Sequence, residues 1–152
     1  MHPGYRKNDV INNPRTGNPI FAHFPCINYR GHVFPNAPIF LRFGDRRFGV
    51  AHIWQEHRRD IPALSNIALL DHEAVVQIAH YVSRILGMGG DIYCEFADMR
   101  GNHRPLVFRS GAGLVVLEQK QDGAGQALYS VVTAFPGKIK GTKIGALSVL
   151  GS

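Results

Sequence analysis

The sequence has no long apolar run, few cysteines and fewer acidic than basic residues. Within its 152 residues no stretch of about 18 apolar residues occurs, and a membrane-spanning helix needs that length. The first ten residues, MHPGYRKNDV, do not form the apolar core of a signal peptide, so we expect no export signal there. Cys26 and Cys94 lack metal-site spacing and are too few for a disulfide framework. They favour thiols in a reducing compartment and leave a single disulfide open.

The chain is basic and has an ordinary apolar content. It contains 17 Lys and Arg against 11 Asp and Glu, which gives a formal net charge of +6 and a pI near 9.7. Hydrophobic residues make up 45% of the chain, which is enough for one folded core at this length. The charge favours an acidic partner: nucleic acid most simply, with an anionic membrane surface or an acidic protein as alternatives.

Two segments in the first half have helical spacing. Asp45 is positioned to cap a helix over residues 46–59 that ends before Pro62. Asp71 is positioned to cap a second helix, HEAVVQIAHYVSRIL, whose apolar residues recur every three or four positions. We expect the second helix to pack on the rest of the domain.

After Gly90 the hydrophobic period changes to that of strands. Four segments are typical of strands joined by short turns, namely 91–97, 105–110, 111–120 and 127–136. The sequence therefore predicts an α+β fold with N-terminal helices packed on a four-stranded antiparallel sheet, one face of which stays open to a ligand. We expect this domain to cover residues 45–152, and residues 1–44, rich in Pro and Asn, to form a lead-in or linker.

The segment GVAHIWQEHRR concentrates groups that transfer protons and bind phosphate. His52 and His57 lie about 140° apart around a helix, so they do not share a face as the histidines of a zinc protease do. Glu56 follows His52 by four residues and is placed to orient the imidazole. The alternative interpretation is that His52 is a core histidine and that Glu56, Arg58 and Arg59 form a solvated face.

Two strands carry further polar candidates. Arg109 ends the segment PLVFR, where its guanidinium suits phosphate oxygens or, alternatively, discourages pairing at an exposed edge. In the segment ALYSVVTAFP, alternation places Tyr129 and Thr133 on one face unless a bulge resets the register. Both residue types are also common in strands without any function.

Together, GVAHIWQEH, a strand ending in arginine and a last strand reading YSVVTAFP resemble the ribonuclease toxins of the barnase, EndoU, colicin and RelE superfamily, called the BECR fold. The resemblance covers residues 45–137. Within this superfamily, the segment most resembles the domains found in polymorphic toxins, contact-dependent growth inhibition proteins and phage proteins. It implies RNA cleavage without a metal or cofactor, by attack of the 2′-hydroxyl to give a 2′,3′-cyclic phosphate, with tRNA as the favoured target.

The resemblance also implies a catalytic set of six residues: His52, His57, Arg109, Thr133, Tyr129 and Ser130. His52 matches the motif histidine and is expected as general base or acid, and His57 matches the second histidine. Arg109 matches the cation that holds the scissile phosphate, and Thr133, with Tyr129 or Ser130, matches the polar position of the final strand. A glutamate of the barnase type is not evident, so acid and base are both expected to be histidines.

Other basic residues are expected to attract the RNA backbone: Arg58, Arg59, Arg100, Arg104, Lys138, Lys140 and Lys143. Trp54 or Tyr93 offers a ring for an unpaired base, although a single tryptophan on a helix more commonly packs inward. The toxin interpretation implies an acidic immunity protein, a larger delivery protein that precedes residue 1, and action in the cytoplasm of a target cell.

Two other classes of function compete with the ribonuclease. A non-catalytic nucleic-acid-binding or phage structural module would use the same basic surface with structural histidines. A nucleotide-dependent transferase, such as an ADP-ribosyltransferase, is disfavoured because no glycine-rich phosphate loop precedes a helix.

Overall fold

The computed structural model describes residues 4–99, 105–138 and 141–147, and in these it forms ten strands and two α-helices. The strands are β1 (Val10–Ile11), β2 (Ala22–Phe24), β3 (Ile27–Tyr29), β4 (His32–Phe34), β5 (Ala37–Arg42), β6 (Gly90–Cys94), β7 (Leu106–Ser110), β8 (Gly113–Gln121), β9 (Ala127–Phe135) and β10 (Thr142–Leu147). The helices are α1 (Gly49–His57) and α2 (His72–Gly87).

Eight strands belong to one mixed sheet. Its order is β1-β5-β9-β8-β7-β6-β10, with β2 also paired to β5. The pairing of β5 with β9 is parallel, and the other pairings in this sheet are antiparallel. The remaining two strands, β3 and β4, form a separate hairpin.

The predicted fold class is wrong, because the protein is mostly β and not a pair of N-terminal helices on a four-stranded antiparallel sheet. The four predicted strands are present as β6 to β9 and pair antiparallel in sequence order. The sheet continues beyond them, however, through β5 on one side and β10 on the other. The alternating residues of β5 lie within a segment rich in Pro and Asn. Because this composition is typical of loops, it does not predict a strand there.

Residues 10–42, which were expected to be lead-in or linker, supply half of the strands and part of the core. In β5 the side chains alternate between buried and partly buried, with Ala37, Ile39 and Leu41 pointing inward. Phe21 and Phe24 are buried in the same core as the residues that follow position 45. The hydrophobic core therefore extends across the expected boundary at residue 44.

The large sheet has one buried face and one more polar face. Cross-strand neighbours share a face, and the row Ile92, Phe108 and Val115 is fully buried. On this core face α2 packs against β7 and β8, with Ile85 beside Gly113. The opposite face, which we call the polar face, carries Tyr93, Val107, Arg109, Val116, Glu118, Ser130 and Thr133.

The predicted second helix is confirmed, including its cap. The Asp71 side chain accepts a hydrogen bond from the backbone N–H of Ala74 at 2.9 Å, and α2 ends at Gly87. Its buried positions include Val75, Ile78 and Val82, which follow the predicted period. Within the described parts of the chain, no helix combines the length and the apolar character needed to cross a membrane.

The first helix is shorter than predicted, and Asp45 does not cap it. Gly44 and Gly49 both have positive φ angles, +77° and +78°, and enclose a tight loop before the helix. A Cβ on Gly44 would collide with the carbonyl of Phe48, and one on Gly49 with the carbonyl of Arg42. Because of this loop the helix begins only at Gly49. Asp45 lies in the loop, where its carboxylate accepts hydrogen bonds from Arg47.

A bulge interrupts the pairing of β8 with β9. Leu117 pairs with Val131, but the next residue back on β8, Val116, pairs with Thr133. Val132 is therefore an extra residue in β9, and it reverses the alternation of the side chains that follow it.

The bulge overturns the predicted grouping of Tyr129 with Thr133. Tyr129 points to the core face, where its ring stacks on Phe24 at 4.1 Å and its hydroxyl donates to the carbonyl of Pro35 at 2.8 Å. Thr133 points to the polar face, the face that Ser130 also shares. Of the three candidate residues of β9, Ser130 and Thr133 are therefore the two that lie on this face.

Candidate active site

His52 lies on α1 with one ring nitrogen fixed by the preceding loop. Its Nδ1 is 2.7 Å from the backbone carbonyl oxygen of Arg46. A carbonyl oxygen can only accept a hydrogen bond, so Nδ1 carries the proton and Nε2 of the neutral ring keeps its lone pair. The loop between Gly44 and Gly49 thus sets the tautomer that a general base requires.

His57 ends the same helix and lies next to His52. The ring centroids of the two histidines are 6.0 Å apart in an edge-on arrangement. The His57 ring stacks on Phe135 of β9 at 4.3 Å and an interplanar angle of 8°. Its Nδ1 is 3.6 Å from a carboxylate oxygen of Asp60. The side chain is 19% exposed, so it is oriented on two sides while part of it stays open to solvent.

Thr133 brings a hydroxyl to the same part of the polar face. It lies two residues before Phe135 and on the same side of β9, about 7 Å along the strand from the residue that stacks on His57. Thr133 is 7% exposed. Its Oγ1 is buried and has no hydrogen-bond partner among the residues that the structure describes. Such a hydroxyl retains its capacity to bind another group.

Ser130, in contrast, belongs to a closed polar network. Its Oγ accepts a hydrogen bond from Nε of Arg42 at 2.8 Å. Arg42 also donates from Nη1 to Asn8 at 2.9 Å and from Nη2 to Glu118 at 3.1 Å, and its guanidinium lies 4.0 Å from the centre of the Phe48 ring. Burial lowers the pKa of Arg42, and the carboxylate of Glu118 opposes that effect.

Sequence reasoning missed this network. Arg42 and Glu118 lie 76 positions apart, and no local spacing connects them. The one available signal was the acidic residue that directly follows the apolar run LVVL in β8, since an acid at such a position commonly has a cationic partner. With its donors already paired, Arg42 serves to position β5, β8 and β9.

Arg109 is exposed on the polar face of β7. Its cross-strand neighbour on β8 is Leu114, which in turn pairs with Phe135, so Arg109 lies two strands, or about 10 Å, from the stacked ring. It lines a shallow cleft of about 380 Å³ together with Lys138. An extended arginine side chain is long enough to span much of that separation.

The expected RNA-binding residues fall into separate places. Arg58 and Arg59 follow α1 in a short 3₁₀ turn and are exposed. Lys143 on β10 is ion-paired with Asp91 at 3.2 Å. Arg100, Arg104 and Lys140 lie outside the described residues.

In the described ranges, no cluster of three or more His, Cys, Asp or Glu side chains is arranged to hold a metal ion. No protein-family model, curated protein or solved structure matches this chain. The side chains suited to catalysis on this face are therefore the two histidines, Thr133 and Arg109.

Proposed function

We propose that this chain is a metal-independent endoribonuclease in which His52 and His57 transfer the protons. The observation that carries the proposal is the pair of imidazoles 6.0 Å apart, one of which has its Nδ1 proton committed to a backbone carbonyl. Two hydrogen bonds of about 3 Å each allow one phosphodiester to contact both rings. Paired histidines are suited to acid and base catalysis near neutral pH.

The reaction assigns one proton to each histidine. His52 Nε2 takes the proton of the ribose 2′-hydroxyl as its oxygen attacks the adjacent phosphorus. The bond from phosphorus to the 5′-oxygen then breaks, and that oxygen takes a proton from His57. The products are a 2′,3′-cyclic phosphate and a free 5′-hydroxyl.

Negative charge develops on the phosphoryl oxygens during this step. The Thr133 hydroxyl is buried and has no partner among the described residues, and it lies on the same side of β9 as the Phe135 ring that stacks on His57. Arg109 supplies a guanidinium on the same face of the sheet. Preorganised donors of this kind stabilise a transition state more than the same groups in water.

The toxin part of the proposal rests on the sequence motifs described above. It includes tRNA as the favoured RNA, an acidic immunity protein that covers the histidine region, a delivery protein, and action in the cytoplasm of the target cell. The net charge of +6 supports fast association with both RNA and an acidic inhibitor.

The test is to incubate the protein with total bacterial RNA in EDTA and to map the ends of the fragments. We expect discrete cuts with cyclic phosphate ends for the native protein, and loss of cutting in His52→Ala and in Arg109→Ala. The matched control is His80→Ala, which removes an exposed histidine of α2 and should cut normally. Circular dichroism of each variant verifies that it is folded.

A different result would overturn the proposal. If RNA stays intact but is bound equally by the native protein and both variants, the histidines are structural. The protein would then be a basic nucleic-acid-binding module.

A further inference from the structure

A cationic groove runs along a partly exposed face of α1. It has a volume of about 950 Å³. Ala51, Trp54, Gln55 and Arg58 line it at the spacing of one helical face, and the rest of its lining comes mainly from the loop before α1. Neither helix nor strand covers this face in the described parts of the chain, although a half-buried tryptophan opens into it.

The groove combines positive charge with an aromatic ring. Arg46, Arg47 and Arg58 line it beside a single carboxylate, Asp45. The carboxylate forms an ion pair with Arg47, whose Nη2 lies 3.0 Å from it. The guanidinium of Arg58 lies 4.8 Å from the centre of the Trp54 ring. An anionic ligand with a flat ring would complement both features.

The groove is joined to the histidine site by one residue. Arg46 belongs to the groove lining, and its backbone carbonyl accepts the hydrogen bond from His52 Nδ1. Around the helix, Gln55 of the groove lies about 60° from His52. A chain that follows the groove therefore approaches the ring that we assign as the general base.

We propose that this groove is a subsite for single-stranded RNA, in which an unpaired base stacks on Trp54 and the flanking phosphates contact Arg46, Arg47 and Arg58. This inference rests on the proposed function and extends it to the state of the substrate. A base that is paired within a duplex cannot offer its face to a side chain, whereas bases in loops and at ends can. The groove thus selects RNA that is unpaired beside the cut bond.

The test uses Trp54 as its own probe, because it is the only tryptophan of the chain. The full chain is titrated with a single-stranded oligodeoxynucleotide, which lacks the 2′-hydroxyl and cannot be cut by the proposed reaction. We expect quenching of the tryptophan fluorescence, with log K falling with log salt at a slope of about −2 for three phosphate contacts. A blunt duplex of the same length should cause much less quenching.

Variants separate the groove from general charge. Arg47→Ala should reduce the magnitude of the salt slope by about 0.7 and weaken binding. Arg84→Ala, which removes an exposed arginine of α2 outside the groove, should leave the slope unchanged. Equal effects of the two variants would overturn the proposal.

Cleavage assays distinguish this inference from the proposed function. In Trp54→Ala the KM for RNA should rise about 5- to 100-fold while kcat is retained, as expected for loss of one stacked base. Quenching by the oligodeoxynucleotide without any cutting of RNA would support the groove and overturn the ribonuclease. Cutting of RNA without quenching would support the ribonuclease and overturn the groove as an RNA subsite.

Discussion

Ser130 and Thr133 lie three residues apart on one strand, on the same face and both buried, yet their hydroxyl groups are in different states. Ser130 Oγ is held by Arg42 within a network that joins β5, β8 and β9. Thr133 Oγ1 has no partner among the described residues. The bulge at Val132 lies between them. Without it, Thr133 would point to the core face, and the two hydroxyls would not share one surface.

The contrast separates polar groups that hold the fold from polar groups that remain available for chemistry. An unpaired buried hydroxyl costs free energy of folding, whereas a paired one stabilises the structure modestly. The arginine network is therefore expected to contribute to stability, and the region of His52, His57 and Thr133 to activity. Each of the following substitutions tests that division.

The largest effect is expected from Arg42→Ala. It removes the cation that Glu118 and Ser130 share, so that Glu118 keeps only the weaker pair with Lys120 at 3.7 Å, and the Arg42 side chain is only 14% exposed. We expect the free energy of unfolding to fall by about 2 to 4 kcal/mol in urea titrations. Arg47→Ala, which removes an exposed arginine, is the matched control and should leave the free energy of unfolding nearly unchanged. An equal loss of stability in the two variants would show that the Arg42 network does not hold the fold.

Ser130→Ala and Thr133→Val should act in opposite ways. Ser130→Ala leaves Arg42 Nε without its acceptor, so unfolding should become easier by about 1 to 2 kcal/mol. Thr133→Val removes a hydroxyl that has no partner in the described residues, so stability should hold or rise slightly. Under the proposed function its kcat should nevertheless fall about 10- to 100-fold. Calorimetry and RNA cleavage together decide the outcome, and unchanged cleavage by Thr133→Val would place the hydroxyl outside the site.

Phe135→Leu tests the ring that fixes His57. It replaces an aromatic stack at 4.3 Å by an aliphatic contact, which should cost about 1 kcal/mol of stability. Because the His57 ring then loses its orientation, kcat should fall more than KM changes. A rise in KM alone would show that Phe135 acts through substrate binding.

The smallest effect concerns Asp45, which is partly exposed. Hydrogen bonds from the Arg47 side chain and backbone lower the pKa of its carboxyl. A lowered pKa in the folded state means that the contribution to stability is present above about pH 4 and is lost as the pH falls through the lowered value. Asp45→Asn should therefore flatten the acid side of the stability profile slightly, as measured by thermal melts at pH 6 and pH 3. An unchanged profile would show that this pair is solvated.

Local patterns predicted the elements whose residues carry their own period. The helix α2 follows from apolar residues at helical spacing and from Asp71, and the strands β6 to β9 follow from alternation between turns. The strand β5 was missed because Pro38 at its second position suggested a turn, although Ile39 and Leu41 already alternate with partly exposed neighbours.

Long-range contacts could not be predicted in the same way. The parallel pairing of β5 with β9 has no local signal, and it determines where Arg42 and Ser130 meet. The bulge at Val132 placed Tyr129 in the core, where alternation alone had grouped it with Thr133. The segment containing His52 and His57 was identifiable from residue type, but the contact with the Arg46 carbonyl depends on two glycines with positive φ angles.

The pairing of β5 with β9 also determines when this protein can fold. Arg42 and Ser130 are 88 positions apart in the sequence. During synthesis, β5 therefore cannot pair with β9 until most of the chain has left the ribosome. Contacts of such sequence separation slow folding, because the loop between them must close first. Until then an apolar strand edge stays unprotected, and a nascent chain stalled near Gly90 would expose it to aggregation or to a chaperone.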